Sequence, residues 1–146
     1  MWPFKKKKEK IYTILPCAGY GTRMDMKENK SKEMLPDVLN DGKPLIDWCL
    51  EFVKNPVVVT RKEKIDLIHH LSNFPHVEIV YVSDIDYIMR DSMAGIVEKK
   101  KNPNFTWMSS VHEATIELNG KGILVLPDTR FDKNDYEIMY NLVDIA

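Results

Sequence analysis

Directly after a short apolar run at residues 11–15 the chain reads Pro16-Cys17-Ala18-Gly19-Tyr20-Gly21-Thr22-Arg23-Met24, a set of residue types suited to an anion. Two glycines can take φ > 0 and let backbone N–H groups converge, while Thr22 and Arg23 add a hydroxyl and a fork of donors matched to phosphate. The segment is not a Walker loop, because no Gly-Lys-Ser/Thr follows. Nor is it the dinucleotide fingerprint, because the third glycine is missing. A glycine pair after a strand also serves as a plain structural turn. Further along stand Ser31-Lys32-Glu33-Met34-Leu35-Pro36, Gly42-Lys43-Pro44-Leu45-Ile46 and Leu124-Val125-Leu126-Pro127-Asp128. Taken singly, Arg23 and Lys32 read as surface cations, Asp128 as a turn cap, and Glu33 as an exposed partner of a nearby lysine. Met34, Leu35 and Trp48 read as core. His69-His70, His76 and His112 share no metal-ligand spacing and read as solvated or locally bonded.

These groups need elements to hold them. Residues 11–15 are β-rich and end at Pro16, which predicts a buried strand leading into the glycine loop. Over 44–53, Leu45, Cys49, Phe52 and Val53 recur at helical spacing, with Pro44 placed for a first turn. Asn55-Pro56 breaks that helix, and Val57-Val58-Val59-Thr60 leaves no solvent face, so it reads as a fully buried strand. A helix over 62–71 carries Ile65, Ile68 and Leu71 on one stripe, and a strand follows at 77–82. Residues 83–107 are interrupted by Asp84, Asp86, Asp91, Lys99-Lys100-Lys101 and Asn102-Pro103-Asn104, and read as a long loop or a short helix. A helix over 111–118 is expected to start from Ser109 or Ser110, with Glu113 in capping-box position relative to Ser110. A buried strand at 123–126 and a helix at 132–143, capped by Asp132 or Asn134, close the chain. Strands alternating with helices predict an α/β, Rossmann-like, mostly parallel sheet with helices on both faces. Ligands of such sheets bind outside the carboxyl ends of the strands, where both the glycine loop and Asp128 fall.

The 146 residues suffice for one compact domain, expected over 11–146 after a basic tail at 1–10. That tail holds Lys5-Lys6-Lys7-Lys8 beside Trp2 and Phe4, and reads as a solvated end, with an anionic membrane surface as the alternative. A net charge of −1 provides no overall positive field for nucleic acid. No apolar run approaches the about 20 residues that span a bilayer, and no signal peptide is visible, so a cytoplasmic protein is expected. Cys17 and Cys49 show no sign of an oxidising compartment.

In order, Leu15 to Met24, Lys32-Glu33-Met34-Leu35-Pro36 and Lys43-Pro44-Leu45-Ile46 resemble the opening of the sugar-1-phosphate nucleotidyltransferases. The Lys-Glu-Met-Leu-Pro wording looks most like the UTP–glucose-1-phosphate uridylyltransferases, with thymidylyltransferases close behind. Leu124 to Asp128 resembles the family strand whose final Asp holds Mg²⁺. The resemblance implies a truncated, GT-A-like fold and a reaction in which a sugar-1-phosphate oxygen attacks the α-phosphorus of a nucleoside triphosphate, UTP or dTTP, releasing pyrophosphate. Positioning and charge neutralisation carry most of such a transfer. Arg23 and Lys32 are then the catalytic cations, and Asp128 the Mg²⁺ ligand. Backbone groups of Cys17, Ala18 and Gly19 touch base and ribose, and those of Gly21 and Thr22 the phosphates. Ser109 falls in the segment that contacts base and ribose.

The chain departs from the family at four places. The link 25–31 lacks the uridylyltransferase proline and threonine. Met108-Ser109-Ser110-Val111-His112-Glu113-Ala114 replaces a glycine-rich turn before a His-Ala helix, and side chains there restrict the approach of a nucleotide. Residues 83–107 are unlike the family. The half that supplies the sugar pocket, a second Mg²⁺ carboxylate and a lysine for the sugar phosphate is missing from these residues. The sequence is therefore expected to be a fragment, a degenerate copy, or a minimal form completed by a partner chain or a second copy. The alternative to an enzyme is an inactive nucleotide-binding or protein-interaction module that keeps the fold.

Overall fold

The computed structural model describes residues 9–19, 26–27, 29–82, 87–91, 97–101, 107–116 and 118–146, with backbone alone for 87–91, 97–101, 107 and 109. The chain begins with β1 (Lys10–Pro16), a 3-10 turn (Lys32–Met34), β2 (Pro36–Asp37), a second 3-10 turn (Val38–Asn40) and β3 (Lys43–Pro44). Then come α1 (Asp47–Leu50), β4 (Pro56–Thr60), α2 (Ile65–Leu71) and β5 (Glu78–Tyr81). The chain continues through β6 (Tyr87–Asp91), β7 (Val97–Lys101), α3 (Trp107–Thr115), β8 (Gly120–Leu124) and α4 (Lys133–Ile145).

Four strands form one parallel sheet in the order β5-β4-β1-β8. β1 is flanked on both edges, with Ile14 opposite Val57 on one side and Leu124 on the other. Its side chains alternate between two cores, as a strand buried on both faces requires. Ile11 and Leu15 join Val58, Ile123 and Val125 under Trp48, Cys49 and Leu50 of α1, Leu67 and Leu71 of α2, and Tyr136 of α4. Ile14 joins Val57 and Val59 under Val111 and Ala114 of α3. The protein is thus an α/β fold with helices on both faces of its sheet. All five residues of β4 are buried, as its unbroken valines require. At Gly120 the approach of β1 is so close that a Cβ would lie 2.1 Å from the Lys10 carbonyl oxygen, so only glycine fits. Among the described residues no helix is long and apolar enough to cross a membrane.

Several local expectations are corrected. Pro44 does not open a helix; it pairs with Pro36 in a two-residue antiparallel ladder, and α1 is confined to Asp47–Leu50. The reason lies in tertiary bonds: Leu45 N–H donates to the Leu35 carbonyl and Ile46 N–H to that of Glu33, drawing the segment back onto the 3-10 turn. Asp41 (φ 54°) and Gly42 (φ 73°) make the reversal between the two strands. Within 83–107 the described residues include two strands rather than only a loop or short helix: β6 and β7 pair antiparallel, with Arg90 in register with Glu98. α3 starts at Trp107, so Ser109 and Ser110 lie inside it and neither caps it. The Thr115 hydroxyl turns back onto the Val111 carbonyl (2.8 Å) as the helix ends. β8 begins at Gly120 because pairing with β1 extends down to Lys10. The expected Asp132 cap forms, its carboxylate accepting from Asn134 N–H.

One hydroxyl joins three elements. Thr13 of β1 donates to the Lys54 carbonyl (2.6 Å) and lies 2.7 Å from the Tyr136 hydroxyl of α4, which accepts from Lys54 N–H (2.8 Å). Tyr136→Phe leaves the Lys54 N–H without its acceptor while keeping the ring contacts with Phe52 and Tyr140. Urea denaturation is expected to show a loss of about 1–3 kcal/mol, the range for orphaning a buried polar group.

Candidate functional site

The order β5-β4-β1-β8 means that the chain moves outward from β1 to β4 and β5, then crosses back to lay β8 on the other side of β1. Cys17, Ala18 and Gly19 follow the carboxyl end of β1 and Asp128 that of the neighbouring parallel strand β8, so both segments lie at the edge where open α/β sheets hold ligands, and the gap between them is the candidate crevice.

The loop after β1 is fixed from the β4 side. Cys17 N–H donates to the Val59 carbonyl (2.7 Å), the Thr60 hydroxyl to the Cys17 carbonyl (3.2 Å), and Arg61 Nε to the Ala18 carbonyl (2.6 Å). In a trans peptide the carbonyl and the following N–H point in opposite directions. With the carbonyls of Cys17 and Ala18 held by Thr60 and Arg61, the N–H groups of Ala18 and Gly19 point away from those two side chains. That is the arrangement of donors an anion needs. Gly19 is not one of the positive-φ glycines, and a Cβ built on it would meet nothing within 4 Å. The fold itself does not demand glycine there.

Lys32 and Asp128, 96 residues apart in the chain, meet across the crevice with Nζ 2.9 Å from Oδ2. Each is fixed from behind. The Lys32 turn is tied to α2 and its approach by Ser31 N–H donating to Asp66 (3.0 Å) and by buried Lys64 donating to the Lys30 carbonyl (2.8 Å). On the other side, Trp48 Nε1 donates to the Pro127 carbonyl (3.0 Å), and Thr129 N–H to that of Leu126. Arg130 pairs with buried Asp37 and lies over the Trp48 ring, whose edge contacts Phe131 at 4.8 Å between centroids.

Two cations are enclosed at this end of the sheet. Arg61 and Lys64 are both almost wholly buried, and each donates to a backbone carbonyl. Partial burial works against the Lys32 ammonium, yet the hydrogen bond and charge of Asp128, with Glu33 behind, outweigh it and raise its pKa. Burial likewise pushes both thiols up, that of Cys17 well above the ordinary value and that of Cys49 to about 12, so neither is a nucleophile near neutrality.

Glu33 corrects the expectation of an exposed partner. Its side chain is buried and accepts from the Ser31 hydroxyl (3.0 Å). His70, bonded to Asp47 at 2.5 Å, fits a locally bonded histidine. Gly21, Thr22 and Arg23 lie outside the described residues, as does the side chain of Ser109. Among the described residues no cluster of His, Cys, Asp and Glu could hold a metal alone. Sequence reasoning passed over Arg61, Lys64 and the Trp48 indole. No local pattern in the sequence marks their enclosure. Two cavities, of about 450 Å³ beside α2 and β5 and about 320 Å³ between α3 and the β1–β8 edge, touch neither Lys32 nor Asp128. Comparison with protein-family models, curated proteins and solved structures gives no match.

Burial, opposed by its own backbone, Ser31, Lys32 and Lys64, leaves Glu33 with a pKa above the ordinary 4.5. An acid whose folded pKa is raised contributes stability that is complete below its unfolded pKa and lost as pH rises through the folded one. Glu33→Gln removes that titration. Denaturation at stepped pH is expected to show a smaller decline in stability from pH 4.5 upward than in the wild type; parallel profiles would contradict it.

Proposed function

We propose that this chain is a nucleotidyltransferase-like domain of GT-A-like type. In this reading it binds a nucleoside triphosphate, UTP or dTTP, with Mg²⁺, and passes the nucleotidyl group to a sugar-1-phosphate in the cytoplasm. The observation that carries it is the meeting of Lys32 and Asp128, 96 residues apart in the chain, at 2.9 Å. These residues were singled out by motif resemblance alone, and a chance resemblance gives no reason for them to converge.

Asp128 fits a hard cation. It is a single, partly open carboxylate, and Mg²⁺ completes its shell with waters and phosphate oxygens rather than with an all-protein cage. When bound there, the ion would neutralise phosphate charge and orient the α-phosphate. In the transfer, a phosphate oxygen of the sugar-1-phosphate forms a bond to the α-phosphorus as the bond to the β-phosphate bridging oxygen breaks, and pyrophosphate carries away that electron pair. Lys32 offsets charge near the reacting phosphates, and Arg23 supports the triphosphate and the departing pyrophosphate. The N–H groups of Ala18 and Gly19 bind and orient, while buried Arg61 fixes the peptide that presents them. A second reading, nucleotide binding without transfer, is favoured by one observation: Met108 and Ser110 belong to helix α3 where the resemblance implies a glycine-rich turn.

Because open space surrounds Gly19, Gly19→Ala is expected to change stability by no more than about 1 kcal/mol while weakening nucleotide binding at least tenfold. Calorimetry with UTP and Mg²⁺, with denaturation as control, reads both. Incubation with Mg²⁺, UTP or dTTP, and glucose-1-phosphate is expected to release pyrophosphate. Binding without release selects the second reading, and no binding of either triphosphate removes both.

A further inference from the structure

The ion pair at the crevice has an unusual construction. The segments that carry Lys32 and Asp128 are held at the preceding residues, Ser31 and Lys30 by Asp66 and Lys64, and Pro127 by Trp48. Only the side-chain tips cross the gap, and those side chains are 36% and 38% exposed. The pair is therefore not what holds either loop in place. An exposed pair of this kind is worth up to about fivefold in an equilibrium constant, small enough for a ligand to displace.

The two partners carry the chemistry of each other's expected ligands. The ammonium occupies a carboxylate oxygen that a divalent cation needs, and the carboxylate occupies an ammonium that a phosphate oxygen needs. We infer that Lys32 and Asp128 form a resting pair that metal and triphosphate dismantle together, each ligand removing the other's competitor, so that the two bind with positive coupling. This rests on the proposed function, whose two ligands it links. Displacing Lys32 from Asp128 leaves an ammonium without its carboxylate partner. Engaging that ammonium with phosphate leaves an uncompensated carboxylate. Linkage requires the effect to be equal in both directions.

The sign of the predicted effects separates this from a site in which both residues merely add affinity. Chelation of metal by nucleotide in solution also couples the two, so each ligand is measured alone. Calorimetry with UTP in EDTA is expected to show Asp128→Asn binding about two- to fivefold more tightly than the wild type, although the same variant binds UTP with Mg²⁺ more weakly. Asp135→Asn, which removes an equal charge from an exposed position on α4, is expected to match the wild type. With Mg²⁺ alone, Lys32→Met is expected to bind about two- to fivefold more tightly. In the wild type the ¹⁵Nζ resonance of Lys32 is expected to shift in step with Mg²⁺ binding. Mg²⁺–UTP binding without tighter metal-free binding in Asp128→Asn, or with a stationary Lys32 resonance as Mg²⁺ binds, overturns the exchange and leaves the proposed function standing. Absence of UTP binding under every condition overturns both.

Discussion

Strand β1 has hydrogen-bonded partners along both edges, β4 from Thr13 upward and β8 from Lys10 upward, and this double pairing governs everything that follows. A strand so enclosed must bury both faces, which accounts for the alternation of Ile11 and Leu15 with Ile14 between two cores. The segments that follow β1 and β8 leave neighbouring parallel strands at the same edge of the sheet, which is what brings Cys17 to Gly19 and Asp128 to one end of the fold. Tyr136 secures the lower end of the same strand through Thr13, so one residue of α4 fixes the base from which the loop rises.

Charge buried behind the loop deserves comparison with charge at its mouth. Taking a guanidinium and an ammonium out of water is expensive unless each finds good partners. Arg61 and Lys64 spend their hydrogen bonds on main-chain oxygens of the segments that border the crevice. Their effect is orientational: Arg61 holds the Ala18 carbonyl without any positive-φ residue at Gly19, and Lys64 holds the Lys30 carbonyl while the Ser31 N–H that follows it donates to Asp66. Lys32 and Asp128, by contrast, remain within reach of solvent and can change partners.

Much of this was legible in the sequence where burial acts on every residue of a segment. Val57-Val58-Val59 admits no solvent face, and Asp132 stands where a helix needs a cap; both behave accordingly. Reading fails where a local preference is overruled from a distance. Pro44 is well suited to a first helical turn, but bonds from Leu45 and Ile46 to Leu35 and Glu33 draw it into a ladder. Ser110 resembles a cap but lies inside α3, and the span read as a loop or short helix includes the paired strands β6 and β7. For the site, Lys32 and Asp128 were readable from their motifs. Glu33 and Arg61 were not, because no pattern of neighbours announces that a charged side chain will be enclosed by parts of the chain remote from it.

The two cysteines, lying in the same core beneath the crevice, have a practical meaning. Cys17 and Cys49 are almost wholly shielded, and their thiols resist ionisation at ordinary pH. A thiol of that kind is protected from alkylating reagents while the core is closed and becomes reactive when it opens. The protein thus carries two native chemical clocks, one at the root of the glycine loop and one in α1. Comparing their rates of modification would time the opening of the loop's base against that of the helix above it, without introducing any foreign label.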